Sequence, residues 1–186
     1  MDRPTFNLDQ LALVVQATRR GEALVVDHYR IPMLPSKHYP YEVATLVDME
    51  PAERAPAALA HLVVYERPRP AGVEALYRVC LQDDAILSRA RDGTNLGALL
   101  VYVLTHELVH VVRFQRAEQS FTAPRRARKR EEDEVHHITM QLLEQARVPQ
   151  VERLHELCGN PVRPALRVEG GSPARVRGGA LVPHRR

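Results

Sequence analysis

Tryptophan is missing from this chain, phenylalanine appears three times, and aromatic residues make up only 5% of it. A core built from these residues must be mostly aliphatic. Cysteine is nearly as scarce. Cys80 and Cys158 lie far apart with no CxxC spacing, so they read as two reduced, intracellular thiols. No secretory signal opens the chain: Met1 to Phe6 carries a basic residue, but no apolar segment follows it. A cytoplasmic protein is the expectation. No internal repeat is visible. The formal charge is +3, which does not by itself argue for nucleic acid. Much of that excess sits near the end, where Arg163, Arg167, Arg175, Arg177, Arg185 and Arg186 face only Glu169.

What the chain does have is enough apolar material for one real core: 186 residues, 45% of them hydrophobic. We expect a single domain over residues 1–159 and a flexible basic tail over 160–186, where Pro, Gly and Arg dominate. Asn7 to Arg20 predicts a first helix, with Gly21 as its stop. Ala23 to Val26 is a short β-type run. Tyr29 to Tyr41, broken by three prolines, predicts a loop or edge segment. Val43 to Val47, Leu62 to Tyr65 and Ala75 to Leu81 read as strands, with a turn over Arg67 to Gly72. Pro51 to Ala60 reads as a short helix, and Asp83 and Asp84 begin another toward Ala90. Helices are also expected from a Thr94 or Asn95 cap to about Gln115, from Pro124 to Ala146, and from Pro149 to Cys158.

One stretch carries chemistry. Leu96 to Val112 is apolar enough to raise a membrane question, but its second half holds His106, Glu107 and His110. Such groups are costly in lipid, so a buried helix and no membrane is the expectation. His106-Glu107-Leu108-Val109-His110 is an HExxH pattern. Histidines four apart stack on one helix face and can converge on one metal ion. The Glu beside the first can hold a water against that ion. On the helical wheel Leu99, Tyr102, Val103, His110 and Arg113 share the side of His106, whereas Leu100, Leu104, Leu108 and Val111 cover the other. A helix apolar all round is buried, with its metal face toward a cleft.

A catalytic zinc usually has three protein ligands and one open position. Candidates for the third lie in Glu131 to His137. Val135, Ile138, Leu142 and Leu143 define the buried stripe of that helix, and Glu131 and Glu132 project on either flank of it. Glu134 sits about a quarter-turn outside, and His137 points away. Geometry therefore prefers Glu131 or Glu132. His136 lies one turn beyond Glu132. The Arg125 to Arg130 run reads as a solvated helix start, since no aromatics interleave it for base stacking.

HELVH followed by Glu132 to Leu143 resembles the small gluzincin-type metallopeptidases, nearest the ImmA/IrrE-like group. There a helix of pattern E-x-x-A-N-x-F-A-x-x-L-L carries the third ligand. The resemblance implies Glu132 as that ligand. It puts Val135 at the small position and His136 at the Asn/Asp position that supports a ligand. Ile138 and Thr139 fall on the F-A pair, while Leu142 and Leu143 match as they stand. It also implies an α+β, minimal zincin-like fold: an N-terminal backing helix, a small mostly antiparallel sheet, the HExxH active-site helix and the following glutamate helix.

The expected chemistry is peptide-bond hydrolysis. Zn²⁺ held by His106, His110 and Glu132 would acidify a water, and Glu107 would accept its proton and hand it to the leaving amine. A protein or peptide substrate would lie extended beside the sheet, along Tyr77 to Leu81. Tyr77, Arg113 and His136 are the candidates for supporting or substrate-facing roles, and pairing with Glu131 would account for Arg113 equally well. Manganese or iron would also suit two His and a Glu. The alternative from another class is a non-catalytic zinc-binding domain that docks a partner. Such a domain has no need of Glu107. The sequence leaves the oligomeric state open.

Overall fold

Asn7 starts the first helix by satisfying two backbone donors at once. Its side chain accepts from Gln10 N, and the Gln10 side chain accepts from Asn7 N, both at 2.9 Å. The computed structural model describes residues 3–70, 72–120, 123–158 and 167–170. In it α1 spans Leu8–Tyr29 and ends at Arg30, which turns left-handed with φ 53°. The helix therefore runs straight through Gly21, and Ala23 to Val26 belongs to it rather than to a strand. Val14, Ala17, Gly21 and Val25, spaced along one face, are its buried residues. Gly21 is a crossing point, not a stop. A Cβ there would lie 3.1 Å from Thr105 Oγ1 and 3.3 Å from Thr105 N. The absent side chain lets α1 approach the HExxH helix at the residue before His106.

The remaining elements follow in order: β1 (Tyr41–Ala44), 3-10 turns at Leu46–Asp48 and Pro51–Glu53, β2 (Ala60–Arg69), β3 (Gly72–Leu81), α2 (Asp83–Arg91), α3 (Leu96–Gln115), α4 (Arg125–Gln145), α5 (Val151–Cys158) and β4 (Arg167–Gly170). The Val43 to Val47 strand stops at Ala44, because Thr45 and Asp48 close a 3-10 turn with each other's backbone and side chains. The expected Pro51 to Ala60 helix is one 3-10 turn, and Pro56 stands where it would have to continue. The expected Arg67 to Gly72 turn is mostly strand, since Arg69 pairs with Gly72. Pro68 is tolerated in β2 because it lies past Glu66, the last residue covered by β4.

The sheet order is β1-β3-β2-β4. Its pairings correct the mostly antiparallel expectation. Only β2 with β3 is antiparallel, whereas β1 with β3 and β2 with β4 are parallel. The fold is thus α+β with a small mixed sheet. β4 falls inside the stretch read as a tail, and the rest of 159–186 lies outside the described residues.

Alternation splits the sheet into two faces. Leu62, Val64, Tyr77, Val79 and Leu81 join the helices in the main core. Val63, Tyr65 and Cys80 face the other way, under Leu46 and Met49. That far face buries ions. Arg78 Nε lies 3.3 Å from Glu42 and 3.4 Å from Glu53, its Nη2 donates to Asp48 O at 2.9 Å, and the Tyr65 hydroxyl donates to Glu53 at 2.6 Å.

The main core closes around α3. Its cap is Asn95, whose side chain accepts from Ala98 N at 3.0 Å. Leu99, Leu100, Leu104, Leu108, Val109, Val111 and Val112 are fully buried. It packs against α1, α2, α4, α5 and the sheet. Among the described residues it is the one helix long and apolar enough to cross a membrane, and 83% of its most apolar stretch is buried inside the fold.

Candidate metal centre

Helical spacing puts His106 and His110 on one side of α3, and α4 brings Glu132 to meet them. Glu132 Oε2 lies 3.5 Å from His106 Nε2, and Glu132 Oε1 lies 3.4 Å from His110 Nε2. Ligand atoms of all three lie within 4.8 Å of one another. Both histidines are buried, His110 completely, while the Glu132 side chain keeps 15% of its exposure. Glu132 is the most exposed of the three. His110 is enclosed by stacking on the Phe114 ring and edge contact with His106. This group is able to hold a metal ion.

Glu131 faces elsewhere. Arg113 clamps it with two hydrogen bonds, Nε to Oε1 at 2.7 Å and Nη2 to Oε2 at 2.9 Å. The fork-on-carboxylate geometry is the strong kind, and it holds the Arg113 guanidinium above its ordinary pKa. Glu131 Oε1 nevertheless comes within 3.8 Å of His110 Nδ1. The His110 ring therefore has a carboxylate toward each nitrogen. The nearer of the two is Glu132, 3.4 Å from Nε2, against 3.8 Å for Glu131 at Nδ1. Glu134 is exposed on the outer face of α4.

The other candidates are dispersed. Glu107 is 3% exposed, on the same helix turn as His106 and His110. Arg113 is committed to Glu131 and Glu118. The Tyr77 hydroxyl donates to Gln115 Oε1 at 3.1 Å near the end of α3, and burial pushes its pKa up to about 12. His136 sits one turn past Glu132, with its Nδ1 2.9 Å from the Tyr102 hydroxyl and its Nε2 3.3 Å from His155 Nδ1. Burial lowers its pKa, and His106 and His155 add to the effect.

Comparison of the chain with protein-family models, with curated proteins and with solved structures returned no match in any of the three. What the site can do follows from its own atoms.

Two residues at the site were not singled out from the sequence. Tyr102 carries a legible signal, since it lies one turn before His106 on the metal side of α3. Its ring sits 5.7 Å from the His106 ring. His155 carries none, because only the return of α5 against α3 and α4 brings it to His136.

Proposed function

We propose that this chain is a zinc-dependent peptidase, holding the metal through His106 Nε2, His110 Nε2 and a Glu132 carboxylate oxygen. The observation that carries the reading is the convergence of those three side chains within 4.8 Å, from two helices, beside a buried glutamate that is next in sequence to His106. Two imidazoles and one carboxylate are the donor set of catalytic zinc sites that keep a fourth position open. The resemblance of HELVH and the Glu132 helix to the gluzincins supports the same reading.

A zinc ion bound there would supply Lewis acidity, lowering the pKa of a water toward about 7 and polarising a carbonyl. The chain's own groups do the rest. Glu107 takes a proton from the attacking water at its carboxylate and later delivers it to the departing amine. Arg113 fixes the Glu131 carboxylate behind the His110 ring, 3.8 Å from its Nδ1. Apolar packing on the remaining sides of α3 keeps bulk water from the histidines. The substrate is a protein or peptide, and both cysteines are free and buried, which suits an intracellular enzyme.

The test is Glu107→Gln in the full chain loaded with zinc. Zinc should stay at one per chain, while hydrolysis of labelled casein falls by about 10²–10⁴-fold. An unchanged rate would sink Glu107 as the general base, and a zinc-loaded parent that cleaves no casein would sink the peptidase reading and leave a metal-binding module that docks a partner.

A further inference from the structure

Outside the ligands, a line of three side chains leads away from the metal group. The Tyr102 ring packs on the His106 ring at 5.7 Å, and its hydroxyl meets His136 Nδ1 at 2.9 Å. His136 Nε2 in turn meets His155 Nδ1 at 3.3 Å, the two rings stacked 5.3 Å apart. Tyr102 and His106 are both 4% exposed, so the ring is as buried as the ligand it packs on. The line ends on α5, where His155 is exposed. A buried phenol whose hydroxyl is pinned by a histidine from the opposite helix is a preorganised hydrogen-bond donor.

We propose that Tyr102 is the group that donates to the oxyanion during hydrolysis, and that His136, braced by His155, is the residue that positions it. The inference rests on the peptidase reading and deepens it. When water adds to the scissile carbonyl carbon, its proton goes to Glu107 and the carbonyl π electrons move onto oxygen. The Tyr102 O–H donates a hydrogen bond to that oxygen, and no covalent bond to tyrosine forms. On collapse the C–N bond breaks, and the amine leaves with the proton from Glu107. For Tyr102 to keep its own proton for the substrate, His136 must carry its proton on Nδ1 and donate it to the tyrosine oxygen. His136 Nε2 then accepts from His155 Nδ1–H. His136 is neutral in this arrangement, which fits the burial that disfavours charge on it.

The tautomer is testable without any substrate. Nitrogen NMR of imidazole-labelled protein loaded with zinc should find His136 protonated at Nδ1, and protonation at Nε2 instead would overturn the proposal. Tyr102→Phe should keep one zinc per chain and an unchanged KM for labelled casein. Its kcat should fall roughly 10²–10³-fold, as for loss of one oxyanion donor. Binding of a phosphonamidate dipeptide, whose phosphoryl oxygens imitate the oxyanion, should weaken at least tenfold. His136→Ala should resemble Tyr102→Phe, and His136→Asn, which can still donate from near the Nδ1 position, should recover part of the rate. Full activity in Tyr102→Phe overturns the proposal. So does zinc loss in that variant, because the hydroxyl would then be bracing the metal group and not serving the substrate. If the zinc-loaded parent itself cleaves no casein, it is the peptidase reading that has failed.

Discussion

The two faces of the chain around β3 bury ionisable groups to the same depth and close them in opposite ways. On the far face, Arg78 stands between Glu42 and Glu53, with Tyr65 and the Asp48 carbonyl completing the ring of partners. The cation comes from the chain itself, with its Nε toward both carboxylates. On the helical face, α3 and α4 point two imidazoles and a carboxylate at one another. Each is an atom with a lone pair to give, and together they are complementary to a cation supplied from outside. One cluster is finished as folded. The other is able to take in an ion.

The sharpest way to break that comparison is at the finished cluster. Arg78→Leu strands the buried Glu53 carboxylate and the half-buried Glu42 carboxylate and should cost about 3–5 kcal/mol in urea unfolding, with the zinc content of the folded fraction unchanged. A smaller effect would mean that the ions on the far face are solvated. Next in size is the metal's own contribution. Zinc at about a hundred times its Kd should stabilise the chain by roughly 2.7 kcal/mol, and His110→Ala should abolish that increment. Equal stabilisation of His110→Ala would place the metal elsewhere.

A third perturbation reaches the metal group through its support. Gly21→Val puts a branched side chain against Thr105, where even a Cβ would sit at 3.1 Å. It should cost about 1–3 kcal/mol and weaken zinc binding, because the next residue along is His106. Stability equal to the parent would show that α1 can move away freely.

The smallest effect is on pH dependence. The folded pKa of His136 is lowered by burial, then by His106 and His155, with Asp133 opposing. Its folded value therefore lies below the unfolded value of about 6.5. The unfolded chain takes up this proton first, so the contribution to stability is present above that value and is lost as pH falls through the folded pKa. Metal-free protein should melt progressively lower between pH 7 and 5, and His136→Gln should remove part of that slope. An identical slope would show that His136 titrates like a solvated histidine.

The helices of the site were legible because their signals are local. An asparagine cap, an unbroken apolar run and a stripe at Val135, Ile138 and Leu142 mark α3 and α4 within a residue or two. Choosing between Glu131 and Glu132 needed the angle between two helices, which no local pattern contains. Gly21 misled for the same reason. Its signal as a helix stop is local, whereas its use as a crossing point depends on Thr105, which lies on another helix. The parallel pairing of β1 and the Arg78 cluster were also out of reach, since Glu42, Glu53, Tyr65 and Arg78 come together only when β1, β2 and β3 align.

The central claim is that His106, His110 and Glu132 hold one metal ion. Elemental mass spectrometry of the purified full chain tests it most directly. The expected result is about one zinc per chain, falling to a small fraction in His106→Ala, His110→Ala and Glu132→Ala, while Glu131→Gln retains it. Metal-free parent protein that fails to take up zinc on dialysis, or a Glu132→Ala variant that keeps a full equivalent, would contradict the account.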